Sequence, residues 1–89
     1  MPRSFELDQN YPNPFNPGTT IEFELTKQEF VTLTVYNILG QKVKTLIQGT
    51  RAAGRHFVSF DGKELTSCLY FYKLEVGNTT ETKKMTLLH

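Results

Sequence analysis

Apolar and polar residues alternate along several short stretches of this chain, and the alternation predicts β-strands. In one stretch Ile21, Phe23 and Leu25 fall on one side of an extended backbone, while Glu22 and Glu24 fall on the other. The period of about 3.6 residues that marks a helix nowhere continues for more than one turn. Strands are predicted on this basis at Phe5–Asp8, Thr20–Leu25, Phe30–Tyr36, Gln41–Gln48, Arg55–Phe60, Leu69–Val76 and Thr79–Leu88.

Residues that favour turns separate these strands. Asn37–Gly40, Asp61-Gly62 and Gly77-Asn78 are predicted turns, and Gly49–Gly54 is a predicted loop. A spacing of about ten residues between turn signals is typical of an immunoglobulin-like sandwich. We therefore expect an all-β fold, an antiparallel β-sandwich of about seven strands with Greek-key connections.

Two residues refine this expectation. Cys68 is the one cysteine, so the fold has no internal disulfide, and the chain also lacks the tryptophan of the antibody-domain signature. Tyr70 follows the connection into the sixth strand. It fits either a tyrosine corner, in which the hydroxyl bonds to the preceding loop, or an ordinary half-buried sheet tyrosine.

The composition indicates a single sheet-rich domain. Of the 89 residues, 31 are Val, Ile, Thr, Tyr or Phe, which suit a pleated sheet, and only two are Ala. The formal net charge is +1, and the chain lacks the concentrated basic charge typical of nucleic-acid binding. Neither a run of membrane-spanning length nor a signal-peptide core is found. We expect no nucleic-acid partner and no direct membrane insertion.

The sequence offers few groups for catalysis. A hydrolytic triad would have to use His56 or His89, but Ser59 lies three positions from His56 on the same strand and should point to the opposite face. Cys68 paired with His56 would lack a third, orienting group. We therefore predict no catalytic residue, no cofactor and no enzymatic activity.

The least expected segment is Asn10–Pro17, which contains three prolines. Residues before proline favour extended angles, and proline fixes its own φ, so a polyproline-II stretch is predicted. Its asparagines, at every third residue, would line one edge, and Pro12 and Phe15 another. Two interpretations remain open: a stiff strap that seals one end of the sandwich and blunts a sheet edge, or a recognition surface. The candidate recognition residues here are Asn10, Tyr11, Pro12, Asn13, Pro14, Phe15, Asn16 and Pro17.

A calcium site in this segment is a separate alternative. Asp8 and the asparagines at positions 10, 13 and 16 supply oxygen atoms. Pro12 and Asn13 stand where a regular calcium loop needs a ligand and a glycine, and no glutamate follows at the required distance. Only an irregular site remains open.

Several motifs are recognisable. The run Phe5–Pro17, with Thr19-Thr20-Ile21 after it, resembles the start of the type A C-terminal sorting domains of the type IX (Por) secretion system. Two positions differ from that family: Cys68 stands where it usually has a glycine, and Phe60 where it usually has tryptophan. Cysteine would be strained if its position needs a positive φ. Further stretches match in order at Val35–Val43, Ala53–His56, Phe60–Gly62, Tyr70–Leu74 and Lys83–Leu88.

The resemblance implies a role in protein export. Members of this family are the last domain of larger secreted proteins of certain Gram-negative bacteria, whose passengers cross the inner membrane by an N-terminal signal and fold in the periplasm. An outer-membrane translocon then recognises the domain, and a surface sortase commonly removes it and attaches the passenger to lipopolysaccharide. On this view residues 5–89 form the sorting domain, a folded recognition tag, and residues 1–4 are a linker or cloning remnant.

The last strand and its hairpin partner are the predicted recognition elements, because they lie next to the chain terminus and offer backbone groups that a partner can pair with. Lys83 and Lys84 point to opposite faces, so at least one should face solvent and steer docking onto an acidic receptor patch. In the alternative, Met85 and Leu87 only fill the core and the lysines keep an edge soluble. The candidates in this strand are Lys83, Lys84, Met85, Leu87 and Leu88.

A second class of function is an immunoglobulin-like accessory module that binds polysaccharide or protein. Phe30, Tyr36, Tyr70 and Tyr72 are the candidate aromatic residues for a sugar-binding face, although core packing also explains them. The related domain of flagellar hook-capping proteins is a third possibility. The sequence leaves the oligomeric state open.

Overall fold

A computed structural model describes residues 5–88 of the chain. The expected linker at residues 1–4 and the final residue, His89, lie outside the described residues. The strands in the described part are β1 (Phe5–Leu7), β2 (Gly18–Leu25), β3 (Glu29–Tyr36), β4 (Lys42–Arg51), β5 (Gly54–Asp61), β6 (Cys68–Val76) and β7 (Thr79–Leu87).

The strands form two antiparallel sheets whose inner faces enclose one core. The first sheet has the order β1-β2-β5, and the second has the order β4-β3-β6-β7. Burial follows the alternation in the sequence: Ile21 and Phe23 of β2 and Leu33 and Val35 of β3 are fully buried, whereas Glu24 is exposed. Burial of these apolar side chains between the sheets is the main force that holds the sandwich together.

The connections identify the fold. Consecutive strands change sheet between β2 and β3, between β4 and β5, and between β5 and β6. This is an immunoglobulin-like sandwich with Greek-key connections, so the predicted all-β class is confirmed. Tyr70 donates its hydroxyl hydrogen to the backbone oxygen of Thr66 at 2.8 Å, which confirms the tyrosine corner. Cys68 is a free cysteine.

One predicted loop is wrong. Residues 49–54 were expected to leave the sheet, but β4 continues to Arg51, with Gly49 opposite Val31 and Thr50 opposite Phe30. The long β3 supplies backbone partners for these residues, and that pairing outweighs the turn preference of glycine. The register of β4 against β3 shifts twice, so this strand is irregular along its pairing.

The two departures from the family pattern are accommodated without disturbing the fold. Cys68 begins β6, and no non-glycine residue between 5 and 88 has a positive φ, so the cysteine carries no left-handed strain. Phe60 is buried and packs edge-to-face on Phe15, with ring centroids 6.2 Å apart. An aromatic side chain therefore still fills this part of the core.

Candidate recognition surface

The segment Asn10–Pro17, called the strap below, crosses from one sheet to the other. At its start, Tyr11 and Thr20 of β2 exchange two backbone hydrogen bonds of 3.0 and 2.9 Å. Farther along, the Phe15 N–H donates to the backbone oxygen of Thr86, and the Leu88 N–H donates to the Phe15 oxygen, both at 2.9 Å. The strap therefore closes one end of the sandwich and covers the end of β7, as the first of the two interpretations predicted.

Tyr72 anchors the start of the strap to the second sheet. Its side chain is fully buried, and its hydroxyl donates to the Asp8 oxygen and accepts from the Asn10 N–H, both at 2.7 Å. Burial raises the pKa of Tyr72 to about 12, because the charged phenolate would lose its hydration. The hydroxyl thus stays protonated and satisfies two backbone groups of the strap's entry at once.

The side chain of Asn10 organises the next turn. Its Nδ2 donates to Thr19 Oγ1 at 2.9 Å and to the Pro12 oxygen at 3.2 Å. Its Oδ1 accepts from Gln9 Nε2, which also donates to the Lys84 oxygen of β7 at 2.6 Å. Asn10 is therefore a buried structural residue whose side-chain polar atoms all have partners within the domain.

The predicted polyproline-II edge is wrong. Asn10 is buried while Asn13 and Asn16 are exposed, and Phe15 is buried while Pro12 is exposed, so the strap does not repeat every three residues. It runs through a series of bends, and its three X-Pro bonds are cis. The reason is tertiary: the two buried residues, five positions apart, are held by different distant residues, Asn10 by Tyr72 and Phe15 by Phe60 and the end of β7.

A glycine lets the strap and β7 pack together. A Cβ at Gly62 would lie 3.1 Å from Leu87 Cδ2 and 3.3 Å from Phe15 Cε2. The Gly62 N–H also donates to the Pro17 oxygen at 2.9 Å. The Asp61-Gly62 pair was predicted as a turn signal; its glycine also lets Leu87 and Phe15 pack closely against this turn, where a Cβ would make two unusually tight contacts.

The free edge of β7 is covered at one end only. Both backbone groups of Thr86 bond to the strap, its N–H to Asn13 Oδ1 at 2.9 Å, and the Lys84 oxygen points to the same side. Alternate residues of an antiparallel strand turn their backbone groups to the same side. Thr82 and Thr80 therefore face this edge as well, and no described strand pairs with them there. They offer a short open edge beside the strap.

The structure divides the recognition candidates into buried and exposed residues, with Lys83 between the two sets. Lys83 is half-buried with its Nζ 3.4 Å from Glu81 Oε2, so the expected solvent-facing lysine is Lys84. The buried candidates are Asn10, Phe15, Met85 and Leu87. The exposed candidates are Tyr11, Pro12, Asn13, Pro14, Asn16, Pro17, Lys84 and Leu88.

The outer face of the first sheet is acidic. Glu6, Asp8, Glu22 and Glu24 lie on it, and Arg55 of β5 is the basic residue among them. The guanidinium contacts Asp8 at 3.0 Å, Glu24 at 3.5 Å and also Glu22, which ties β1, β2 and β5 together. The pKa of Arg55 is raised, chiefly by its hydrogen bond to Asp8.

The histidine considered for catalysis packs against an aromatic ring and a backbone oxygen of the domain. The His56 ring stacks on Phe23 at 5.2 Å between centroids, and its Nε2 lies 2.8 Å from the Ala52 oxygen. Within residues 5–88, no three or more His, Cys, Asp or Glu side chains converge on a point where a metal ion could sit. No helix in that range has the length and apolarity to cross a membrane.

The aromatic residues considered for sugar binding do not form one exposed platform. Tyr70 and Tyr72 point into the core, whereas Phe30 is exposed on β3 and Tyr36 is half-buried. Sequence reasoning also missed what Tyr72 and Gly62 do. The alternation placed Tyr72 within a central strand, but no local signal links it to a strap more than sixty positions away.

Comparison with known families agrees with these features. The model of the secretion system C-terminal sorting domain matches residues 9–87, nearly the whole chain. The chain belongs to this family. None of the curated proteins matches the sequence. Among solved structures, the Ig1 domain of mouse SynCAM 2 is similar, with a TM-score of 0.45, 15% sequence identity and 80% of each chain covered.

Membership in this family assigns the chain to type IX secretion, as the sequence motifs indicated. A sorting domain of this kind is the signal of a larger protein that is exported to the cell surface or secreted. The strap, which carries the most recognisable motif, lies entirely within the matched range.

Proposed function

We propose that the folded sandwich is itself the sorting signal, and that the outer-membrane translocon reads it at the corner where the strap meets β7. The passenger precedes this domain and reaches the translocon through the periplasm. A surface sortase then removes the tag and attaches the passenger. The observation that carries the proposal is the open edge of β7, which the strap covers at Thr86 and leaves free at Thr82.

Backbone pairing suits a receptor that must accept many cargoes. A strand of the receptor added to β7 would gain main-chain hydrogen bonds regardless of the passenger's sequence. The buried candidates Asn10, Phe15, Met85 and Leu87 hold the strap and β7 in place. The exposed candidates beside the edge, chiefly Lys84, then contact the receptor directly.

Thr82→Pro is the sharpest test. Proline removes the N–H that faces the free edge, while the β6–β7 hydrogen bonds use the neighbouring residues and remain. Thr82→Val is the matched control, because it keeps the N–H and suits a strand. Each variant is fused behind a reporter enzyme in a bacterium that has a type IX system, and reporter activity is measured at the surface and in the medium. We expect Thr82→Pro to lower export about tenfold or more, and Thr82→Val to leave it unchanged.

Folding has to be measured in parallel. Circular dichroism and thermal unfolding of the purified variants establish that the sandwich is intact, and Thr80→Pro, whose N–H faces the same edge, is a second variant. Wild-type export of a folded Thr82→Pro variant would refute recognition through this edge. Deleting residues 85–89 is less informative, because it also removes the core side chains of Met85 and Leu87.

A further inference from the structure

The outer face of the second sheet carries an apolar depression of about 280 Å³ next to the turn after β3. Its walls include Tyr36 of β3, Phe71 of β6 and Ile38 of the turn. Tyr36 and Phe71 are cross-strand neighbours, and Ile38 is 57% exposed. Leu39, the next residue, is 77% exposed. Large apolar side chains gathered on an outer face are characteristic of interaction sites.

The turn that presents these side chains is held in a fixed shape. The Asn37 side chain accepts hydrogen bonds from the Leu39 and Gln41 N–H groups at 2.9 and 3.0 Å. Its Nδ2 also donates to Gln41 Oε1 at 2.8 Å, and Gly40 supplies a φ of 81°. A turn with this many local hydrogen bonds holds the backbone at Ile38 in one position, so the turn loses little conformational entropy when a partner binds.

One lysine lines the depression, and two more are strand neighbours of the aromatic residues in its wall. Lys73 lies in its wall with its Nζ 5.2 Å from the centre of the Tyr36 ring. The strand register places Lys42 opposite Tyr36, and Lys84 opposite Phe71. Tyr36 and Phe71 are opposite each other, so these four residues form one line across the four strands with a lysine at each end. Among the described strands, the acidic residue on this face is Glu75, whose Oε1 lies 3.9 Å from Lys73 Nζ. The opposite face of the sandwich, by contrast, is acidic.

We propose that this surface, the aromatic–lysine patch, is a docking site for an acidic protein segment that inserts one large apolar side chain between Tyr36, Ile38 and Phe71. The positive rim complements acidic residues on the segment and steers its approach. Thr82 also lines the depression, so the patch is continuous with the open edge of β7. Only a polypeptide can form backbone hydrogen bonds with that edge, so an acidic protein fits this surface better than an anionic lipid does. The patch shares Thr82 and Lys84 with the proposed recognition edge, whereas Tyr36, Ile38 and Lys42 lie outside that edge, so variants at Ile38 and Lys42 test the patch separately.

The test uses the 89-residue chain and a phage library of random dodecapeptides. Peptides that bind are selected, and their dissociation constants are measured by fluorescence anisotropy. I38S/L39S removes the apolar contact, and K42E/K84E reverses the rim. The matched controls are F57S, since Phe57 is 62% exposed on the opposite face, and K63E, since Lys63 is exposed outside the patch. All variants change exposed side chains, and thermal unfolding verifies that they fold.

We expect the selected peptides to be net acidic and to contain an aromatic or large aliphatic residue. I38S/L39S and K42E/K84E should each weaken their binding about fivefold or more, and the two controls should leave it unchanged. Failure to select binders, net basic binders, or binders that I38S/L39S retains would overturn the proposal. A lipid result would also overturn it. If the chain binds phosphatidylglycerol vesicles more strongly than phosphatidylcholine vesicles, and both patch variants lose this binding, the ligand is a lipid surface.

Discussion

Replacing Tyr72 by phenylalanine removes one oxygen atom from the core and releases the start of the strap from β6. The hydroxyl bonds to two backbone groups, the Asp8 oxygen and the Asn10 N–H, each at 2.7 Å. Asn10 is only 2% exposed, so water does not reach its N–H while the domain stays folded. The substitution therefore leaves at least one buried donor without a partner.

The expected loss follows from that donor. An unsatisfied buried polar group costs about 1–3 kcal/mol, and we expect a decrease of about 2 kcal/mol in the free energy of unfolding for Tyr72→Phe. For a domain of this size the decrease corresponds to a fall of about 8–16 °C in melting temperature. The aromatic ring is retained, so no cavity of side-chain size contributes.

Urea unfolding followed by tyrosine fluorescence or circular dichroism measures the difference. Tyr70→Phe is the matched control, because it deletes a hydroxyl that bonds only to the oxygen of Thr66, an exposed residue that water can satisfy. We expect about 1 kcal/mol or less for that control. A Tyr72→Phe variant no less stable than Tyr70→Phe would contradict the role of Tyr72 as the strap's anchor.

Three further predictions concern stability. Burial raises the pKa of Tyr72 from 10.0 to about 12. The unfolded chain ionises this hydroxyl from about pH 10, whereas the folded domain keeps it protonated up to about pH 12. Stability from this group is therefore complete below pH 10 and is lost as the pH rises to about 12. In urea titrations the free energy of unfolding of wild type should fall by about 2 kcal/mol more than that of Tyr72→Phe over this window. Gly62→Ala should cost about 1–2 kcal/mol by overpacking against Leu87, whereas Gly18→Ala, with its nearest contact at 3.9 Å, should cost less in the same assay. Asn37→Ala should lower the melting temperature by about 4–8 °C, since two backbone N–H groups lose their acceptor; an unchanged value would mean that the turn does not depend on this side chain.

The alternation of apolar and polar residues was sufficient to predict the sheets. It placed Ile21 and Phe23 on one face and Glu24 on the other, and the first two are buried, because burial of one face determines the register of a strand. The boundaries were less accurate. Gly49 and Thr50 were expected in a loop, but pairing with β3 keeps them in β4, and a preference for turns is weaker than the backbone hydrogen bonds a neighbouring strand offers.

The strap was recognisable from its prolines, but its conformation was not predictable from them. Local angle preferences suggested a three-residue repeat, whereas contacts with distant residues decide which side chains are buried. Asn10 is fixed by Tyr72, and Phe15 by Phe60 and the end of β7. Those partners are separated from the strap by more than forty positions. Only the tertiary structure reveals that Asn10 and Phe15 hold the strap from within while their neighbours are exposed.

The most direct test of the account is whether export follows folding. Leu33 is fully buried on β3, so Leu33→Asp places an unpaired charge in the core and unfolds the sandwich, while the sequences of the strap and β7 stay intact. Export of a reporter fused to this variant is compared with that of the wild-type fusion, with the folded fraction measured by circular dichroism. We predict that export is lost together with the fold. Wild-type export of the unfolded variant would mean that the translocon reads a linear sequence instead of a folded domain.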